Sequence, residues 1–331
     1  MMLQAGVIGV GAMGRHHARV YGELDETELV AVADVDRARL DAVERCYRVR
    51  TYVDYRDMLA RERLDLVSVV VPTQWHRAVA LDVIEAGMHL LVEKPIAATV
   101  EHGQAIIKAA ARRGVKLTVG HVERFNPAVI ELKRRLGRGE LGRVFAIHAR
   151  RVGPFPARVR DVGVVIDLAT HELDIMPWLI GQPVQRVRAE TARHVHASYE
   201  DSLSAVLRFA DGTIGTLDVN WLTPTKVREL SVTGERGMLV ANYLTQELYF
   251  YENGHTDGQW ETLAVLTGVA EGDSVRLRIE HREPLQAELA SFVKMIQTQN
   301  EPLVTGADGL AAVALAQTLV EAGRTGEPST L

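Results

Sequence analysis

The sequence predicts a doubly wound α/β domain with a parallel sheet, followed by an α+β domain with an open, mostly antiparallel sheet. Up to Gly120, short β-branched runs alternate with amphipathic helical stretches, a pattern typical of parallel strands joined by helices. After Gly120, short strands follow one another with few helices between them. Because a single hydrophobic core stops growing at about 250–300 residues, we expect the 331 residues to form two domains, 1–121 and 122–331.

Five strands and four helices are predicted in the first domain. The strands read as continuous apolar runs, as expected when both faces of a sheet are covered. They are Ala5–Ile8, Leu29–Ala33, Leu66–Val71, His89–Val92 and Lys116–Val119. The helices between them are Gly14–Gly22, Asp36–Tyr47, Trp75–Ala86 and Val100–Arg112.

The second domain is predicted to begin with a helix at Asn126–Pro127, because Asn is a favoured helix cap and Pro suits the first turn. A strand at Val144–Arg151 and a helix at Ile166–Ile180 follow, and Ala210–Gly212 is a candidate hairpin turn. The remaining strands are Val184–Ala192, Leu203–Phe209, Thr213–Val219, Glu229–Thr233, Met238–Ala241 and Glu247–Tyr251, and the closing helices are Pro284–Gln297 and Asp308–Ala322.

Composition excludes several classes of protein. The formal net charge of -5 argues against a nucleic-acid partner, which needs clustered positive charge. No apolar run reaches the roughly 20 residues that cross a bilayer. Cys46 is the only cysteine, so an internal disulfide is impossible and we expect a reducing, cytoplasmic compartment. The apolar N-terminus is interpreted as the first strand, because it lacks the basic start of a signal peptide.

A glycine-rich turn follows the first predicted strand. Gly9, Gly11 and Gly14 form the pattern Gly-x-Gly-x-x-Gly, which opens a helix. Such a turn lets the backbone approach a pyrophosphate, and the helix N-terminus attracts its charge. Asp34 ends the second strand, 20 residues after Gly14, where a carboxylate can accept hydrogen bonds from the hydroxyls of an adenosine ribose. The sequence therefore predicts a dinucleotide site that prefers NAD, although the nearby Arg37 leaves NADP possible.

Two further elements carry candidate catalytic groups. Lys94 lies at the carboxyl end of a buried strand, the edge at which such sheets bind ligands. In the second domain, Asp167, His171 and Asp174 are spaced to share one face of a helix. Asp167 can be a helix cap, His171 a core histidine, or the pair a metal site or a catalytic pair. No further ligand cluster is evident, and we expect no metal.

The chain resembles the glucose–fructose oxidoreductase/inositol dehydrogenase/rhizopine-catabolism (Gfo/Idh/MocA) oxidoreductases over essentially its whole length. The motifs that carry the resemblance are GVIGVGAMGRHHA at the start, VPTQWH at Val71–His76, VEKPIA at Val92–Ala97, GHVERFNP at Gly120–Pro127, IDLATHELD at Ile166–Asp174, and the tail segments REPLQAELASFV and PLVTGADGLAAVALA.

The resemblance implies a Rossmann domain followed by a domain with an open sheet, and it matches Lys94, Asp167 and His171 to the family's catalytic positions. In such enzymes the histidine takes a proton from a substrate hydroxyl while hydride leaves the same carbon. On the same basis we expect a wider set of residues at the cofactor: Ala12, Met13, Pro72, Thr73, His76, Glu93 and Lys94, beside Gly9, Gly11, Gly14, Asp34 and Arg37.

Two loops are candidates for substrate binding. The first follows the last Rossmann strand and supplies His121, Glu123, Arg124 and Asn126. The second has four arginines around a rigid turn between Arg150 and Arg160, with Arg151 the candidate contact. This second loop is exposed to solvent, contacts another subunit, or binds an anionic substrate. The third alternative is considered because the arginine guanidinium binds phosphate and carboxylate groups with paired hydrogen bonds. GHVERFNP also resembles family members that oxidise UDP-linked amino sugars such as UDP-N-acetylglucosamine.

We therefore expect an NAD(P)-dependent dehydrogenase that acts on a secondary hydroxyl of a sugar, nucleotide sugar or polyol. Two alternatives stay open: a non-catalytic sensor of dinucleotide or sugar, and a glycosidase that uses bound NAD transiently. We also expect a homodimer or homotetramer, because an open sheet face would be exposed in a monomer.

Overall fold

The computed structural model describes residues 2–156, 159, 162–254 and 271–331. The chain divides into two compact units, Met1–Phe125 with Glu283–Ala314, and Asn126–Arg282 with Leu315–Leu331. In this division Glu283–Ala314 packs with the first unit although it comes late in the chain. The boundary at residue 121 stays a prediction.

The first unit, in its described part, contains a parallel sheet of six strands. They are β1 (Leu3–Ile8), β2 (Thr27–Ala33), β3 (Arg50–Tyr52), β4 (Leu66–Val69), β5 (His89–Glu93) and β6 (Leu117–Gly120). Their order is β3-β2-β1-β4-β5-β6. The order reverses between β1 and β4, and ligands of doubly wound sheets bind at the carboxyl ends of the strands at such a point. The predicted doubly wound domain is confirmed.

Helices connect these strands. They are α1 (Gly14–Glu23), α2 (Arg37–Tyr47), α3 (Tyr55–Arg61), α4 (His76–Glu85) and α5 (Val100–Arg113). The helix Pro284–Thr298 shares a hydrophobic core with α1 and β1 through Leu285, Leu289 and Phe292. Neither β3 nor α3 was predicted. β3 was missed because it is a three-residue edge strand without buried side chains, and so it lacks an apolar run.

The second unit contains, among its described residues, a mixed sheet of nine strands. They are β7 (Val144–Val152), β8 (Val184–Ala192), β9 (Ser202–Phe209), β10 (Ile214–Asn220), β11 (Val227–Gly234), β12 (Gly237–Asn242), β13 (Glu247–Asn253), β14 (Glu271–Leu277) and β15 (Ser329–Thr330). Their order is β14-β13-β12-β11-β7-β10-β9-β8-β15. β7 pairs in parallel with β10 and the other pairs are antiparallel, which confirms the predicted sheet.

One face of this sheet forms the core of the second unit. It packs against α6 (Pro127–Gly137), α7 (Thr170–Ile180) and the last turns of the helix Gly306–Thr325. The opposite face is exposed and carries a groove of about 680 Å³, lined by residues that include His148, Arg188 and Asp218. Within the described ranges, the chain has no helix with the length and apolarity to span a membrane.

Candidate active site

The glycine-rich turn joins β1 to α1. Gly9 has a φ of 88°, and a Cβ there would lie 2.5 Å from the carbonyl oxygen of Val70. A Cβ on Gly14 would lie 1.8 Å from the carbonyl oxygen of Gly9. Both positions therefore require glycine. The close approach brings the turn against the end of β4, at the reversal of strand order.

The same turn has room for a pyrophosphate. A Cβ on Gly11 would have the Arg39 guanidinium, 3.6 Å away, as its nearest neighbour. Ala12 is exposed, and Met13 caps α1 without any side-chain hydrogen bond. A helix N-terminus of this kind binds anions through its backbone N–H groups and its dipole. The turn fits the phosphates of a dinucleotide.

Asp34 lies at the carboxyl end of β2 and is buried. Its Oδ2 accepts a hydrogen bond from the Val10 N–H at 2.8 Å, and its Oδ1 accepts one from the Asp36 N–H at 2.9 Å. Each carboxylate oxygen has a second lone pair, so Asp34 can still accept hydrogen bonds from ribose hydroxyls.

The arginine beside Asp34 is Arg39 rather than Arg37. The Arg37 side chain forms an ion pair with Asp41 at 3.1 Å. Arg39 lies 3.5 Å from Asp34 and 3.2 Å from Asp36. Arg39 was not identified from the sequence, although its position in the first turn of α2 is a usable signal. Contact between Arg37 and the cofactor stays a prediction.

Lys94 directly follows β5 and is partly exposed, and the Lys94–Pro95 peptide bond is cis. Glu93 and His76 are buried beside it. Pro72 and Thr73 lead into a short 3₁₀ turn, Thr73–Trp75, which precedes α4. The segments after β4 and β5 therefore supply candidate groups at the carboxyl edge of the sheet, next to the glycine turn.

The loop after β6 forms a short helical turn, Val122–Phe125. His121, Arg124 and Asn126 are buried and Glu123 is half-buried. Arg124 donates to the Leu303 carbonyl at 3.1 Å and forms an ion pair with Asp308 at 3.1 Å.

Asn126 caps α6, as predicted, by accepting the Ala128 N–H at 3.1 Å. Its amide also donates to the Tyr243 carbonyl at 3.0 Å. These bonds order the loop, and substrate contacts by His121, Glu123, Arg124 and Asn126 stay predictions.

Asp167 and His171 lie in a helical segment with a change of pitch. Val165–Ala169 is a π-helical turn, in which the Thr170 N–H reaches the Val165 carbonyl, and α7 follows. The predicted helix Ile166–Ile180 is therefore interrupted at its start, so spacing on an ideal α-helix does not describe Asp167. Single π turns inside helices are frequent at functional sites.

The geometry bears on the alternatives for this pair. The caps of the π turn and of α7 are Val164 and Ala169, so Asp167 is not a cap. Asp167 and His171 are partly exposed, whereas Asp174 is buried, so His171 is not a core histidine. Within the part of the chain that the structure describes, no cluster of His, Cys, Asp or Glu side chains is arranged to hold a metal ion.

Arg151 lies in a buried ion pair. Its Nε donates to Oε1 of Glu172 at 2.5 Å, and the Tyr243 hydroxyl donates to Oε2 at 3.1 Å. Arg151 and Glu172 have side chains only 5% and 2% exposed. Because Glu172 follows His171 on α7, the pair fixes the helix that carries His171. Substrate contact by Arg151 stays a prediction, and Arg158 and Arg160 lie outside the described residues.

Comparison with known proteins matches both units to one family. The model of the oxidoreductase family with an NAD-binding Rossmann fold matches residues 3–121, and the GFO/IDH/MocA C-terminal domain matches residues 129–240. The chain belongs to the Gfo/Idh/MocA oxidoreductase family. It is thus an enzyme of an NAD-binding oxidoreductase family, as its motifs predicted.

Relatives in this family cover nearly the whole chain. UDP-N-acetylglucosamine 3-dehydrogenase from Acidithiobacillus ferrooxidans is 29% identical over 97% of this chain and 98% of the relative, and a structure of that enzyme has a TM-score of 0.85. Inositol 2-dehydrogenase 1 from Saccharopolyspora erythraea is 29% identical over 99% of this chain and 96% of its own. The WlbA dehydrogenase from Bordetella pertussis, solved with NADH and UDP-GlcNAcA, is 25% identical with a TM-score of 0.83, and the match covers 100% and 99% of the two chains.

Proposed function

We propose that the protein is an NAD-dependent dehydrogenase that oxidises a secondary hydroxyl of a nucleotide-linked sugar. The observation that carries the cofactor assignment is the buried Asp34 carboxylate, held against the glycine turn by the Val10 N–H. A carboxylate at this position binds the ribose diol and repels a 2′-phosphate. The match of the chain to UDP-N-acetylglucosamine 3-dehydrogenase over 97% of its length supports the substrate class.

In the proposed mechanism, the His171 imidazole accepts the proton of the substrate hydroxyl. A neutral imidazole is an effective base near neutral pH. The Lys94 ammonium stabilises the negative charge that develops on the oxygen, and Asp167 orients the substrate or His171. The chemistry supplied by bound NAD is acceptance of hydride from the same carbon. In the alternative, Lys94 accepts the proton, and it must then bind as the uncharged amine, because an ammonium has no lone pair.

The substrate class is tested with a panel of UDP-sugars, free sugars and inositols, assayed by NADH absorbance. Turnover of a UDP-sugar supports the proposal, and turnover of inositol alone reassigns the substrate to a polyol. Binding of NAD without turnover of any compound would indicate a sensor. Release of an aglycone from a glycoside without net NADH would indicate a glycosidase. A Lys94→Met variant, which lacks the ammonium, is the matched inactive control.

We also propose that the exposed face of the nine-stranded sheet binds a second copy of this chain, in a homodimer or homotetramer. Val206 and Ile214 lie on this face and are 49% and 42% exposed. Arg186 and Arg188 lie on β8, near one edge of the sheet. Glu229 lies on β11, on the other side of the central strand β7. A two-fold axis superposes opposite halves of such a face, so Arg186 and Arg188 of one copy can pair with Glu229 of the other.

A further inference from the structure

Two buried histidines hold the chain on either side of Lys94. His17 lies in α1, the helix that begins at the glycine turn, and His76 begins α4. Their side chains are enclosed, with residue exposures of 0% and 1%. Neither ring takes part in the proposed proton transfer, so their hydrogen bonds point to another role.

His17 reaches Lys94 through Glu93. The Nε2 of His17 lies 3.0 Å from Oε1 of Glu93, and Oε2 of Glu93 accepts the backbone N–H of Lys94 at 3.0 Å. A carboxylate only accepts hydrogen bonds, so Nε2 of His17 carries the proton and donates. Nδ1 of His17 has no hydrogen-bond partner among the described residues.

The Glu93 side chain is fixed in place as a carboxylate. A Cβ on Gly120 would lie 3.0 Å from its carboxyl carbon, so glycine at the end of β6 is what leaves room for it. Burial by itself raises the pKa of Glu93, but the hydrogen bond from His17, the charge of His17 and the charge of Lys94 bring that pKa below its usual value. Glu93 is therefore ionised at neutral pH and keeps both hydrogen bonds.

His76 acts on the other side of Lys94. Its Nδ1 lies 2.8 Å from the Pro95 carbonyl, and its Nε2 lies 2.8 Å from the Val71 carbonyl. Burial lowers the pKa of His76, and the neutral ring donates to one of these carbonyls at a time. The residue after Lys94 is thus joined to the segment that follows β4.

We propose that His17 and His76 are positioning residues for Lys94, His17 through the Glu93 carboxylate and His76 through the Pro95 carbonyl. This inference rests on the proposed role of Lys94. Because α1 begins at the turn that would hold the pyrophosphate, the His17–Glu93 bond fixes Lys94 relative to the cofactor site. A displacement of about 1 Å at such a group can cost about 100-fold in rate.

The test compares His17→Leu with His17→Gln, using UDP-N-acetylglucosamine and NAD. We expect His17→Leu to lower kcat by about 10- to 100-fold, while the Kd of NAD changes by less than about 3-fold, under 1 kcal/mol. Gln carries an amide donor at the reach of Nε2, so His17→Gln recovers most of kcat. His16→Leu is the matched control, because His16 is the exposed neighbour of His17 and its loss leaves kcat unchanged.

A pH titration separates positioning from a general loss of structure. The titratable groups that face Glu93 are His17 from α1, Lys94 directly after β5 and His76 from α4. His17 lowers the pKa of Glu93, and burial raises it. In the His17→Leu variant only Lys94 still opposes the effect of burial, so the pKa of Glu93 should rise. NMR titration of labelled carboxyl carbons in the cofactor-free protein measures the same rise directly.

His76→Leu and His76→Gln give the second, independent comparison. We expect the same pattern in kcat, with His76→Gln retaining one donated hydrogen bond. If His17→Leu does not fold, His17→Asn replaces it, because the shorter amide cannot reach Glu93 and should lose kcat that Gln keeps.

The outcomes distinguish this inference from the proposed function. Folded His17→Leu and His76→Leu proteins with wild-type kcat overturn the inference, provided that Lys94→Met is inactive. A fully active Lys94→Met protein overturns the proposed mechanism itself. Loss of kcat in the Leu variants with recovery in the Gln variants supports both.

Discussion

The carboxylate of Asp34 accepts a hydrogen bond from the backbone N–H of Val10 at 2.8 Å. The bond ties the end of β2 to the glycine turn, so one side chain both shapes the turn that is proposed to hold the phosphates and lies where the adenosine ribose is proposed to bind. Substitution of Asp34 therefore changes two properties, the local order of the turn and the preference between NAD and NADP.

Asp34→Ser should lower kcat/KM for NAD and raise the ratio of NADP to NAD use. Loss of a charged hydrogen-bond acceptor costs about 1.5–3 kcal/mol, so we expect a fall of about 10- to 100-fold for NAD. Steady-state kinetics with both cofactors measure the ratio. An unchanged ratio would remove Asp34 from the adenosine site.

Arg39 should be the residue that improves the use of NADP in the Asp34→Ser variant. Once Asp34 is replaced, its guanidinium is the cation beside the turn that can bind a 2′-phosphate. Arg39→Ala in the Asp34→Ser background should therefore abolish the gain, whereas Arg37→Ala should leave it, because Arg37 pairs with Asp41. The opposite result would restore Arg37 as the cofactor arginine.

Lys94→Ala and His171→Ala should each lower kcat by about 10²–10⁴-fold and leave NAD affinity intact. Their effects should be strongly non-additive if both groups act on one hydroxyl. With His171 as base, wild-type activity falls at acid pH as the imidazole becomes protonated, and His171→Ala loses that limb. A fully active His171→Ala enzyme with an unaltered pH profile would leave Lys94 as the proton acceptor.

Local signals made the first unit predictable. The apolar runs, the glycine turn and Asp34 are each encoded within a few residues, so five of the six described strands and a candidate cofactor site could be predicted from the sequence. The hairpin at Gly212 was predictable for the same reason, and its φ of 90° confirms the turn. In β14, by contrast, Glu271–Leu277 reads EGDSVRL, without the apolar alternation that identifies a strand.

Groups that meet only through tertiary packing were not predictable. His17 and Glu93 are 76 residues apart in the chain, and Arg151 and Glu172 are 21 apart. No spacing rule joins such pairs. The π turn at Val165–Ala169 was missed because its apolar pattern is that of an ordinary α-helix. The two differ only in their backbone hydrogen bonds.

Breaking the Arg151–Glu172 ion pair should destabilise the second unit. Each side chain is at most 5% exposed, and removal of one partner leaves a buried charge that costs about 3–5 kcal/mol. We expect the Arg151→Met substitution to lower the free energy of unfolding in urea by this amount. Arg150→Met is the matched control, since Arg150 forms an exposed pair with Asp218 at 3.4 Å and should cost under about 1 kcal/mol. Equal losses would show that burial of the pair is not the cause.

Asp201 should make the stability of the second unit depend on pH. Its carboxylate accepts the N–H groups of His194, Val195 and His196 at 2.9, 2.5 and 2.9 Å. Burial raises the pKa of Asp201, but these hydrogen bonds outweigh it and lower the pKa. Because the folded-state pKa lies below the unfolded one, the stabilisation is complete above the unfolded pKa and is lost as the pH falls through the folded one.

Asp201→Asn should therefore cost about 1–3 kcal/mol at neutral pH, and the difference from wild type should shrink below about pH 4. Urea unfolding at several pH values measures it. Asp273→Asn, an exposed position on β14, is the control and should change stability little at any pH. A pH-independent difference for Asp201→Asn would mean that shape, not charge, sets its contribution.

Val206→Arg should dissociate the proposed oligomer. Val206 lies opposite Arg188 in the pairing of β8 with β9, so the substitution adds a cation beside an existing one and removes apolar surface. Light scattering should give wild-type protein a multiple of 36.5 kDa and the variant the single-chain mass. Ile130→Arg changes an exposed apolar residue on α6, 44% exposed, and should leave the mass unchanged. Wild-type protein that stays at the single-chain mass at micromolar concentration would contradict the proposed assembly, and dissociation by Ile130→Arg instead would move the interface from the sheet to α6.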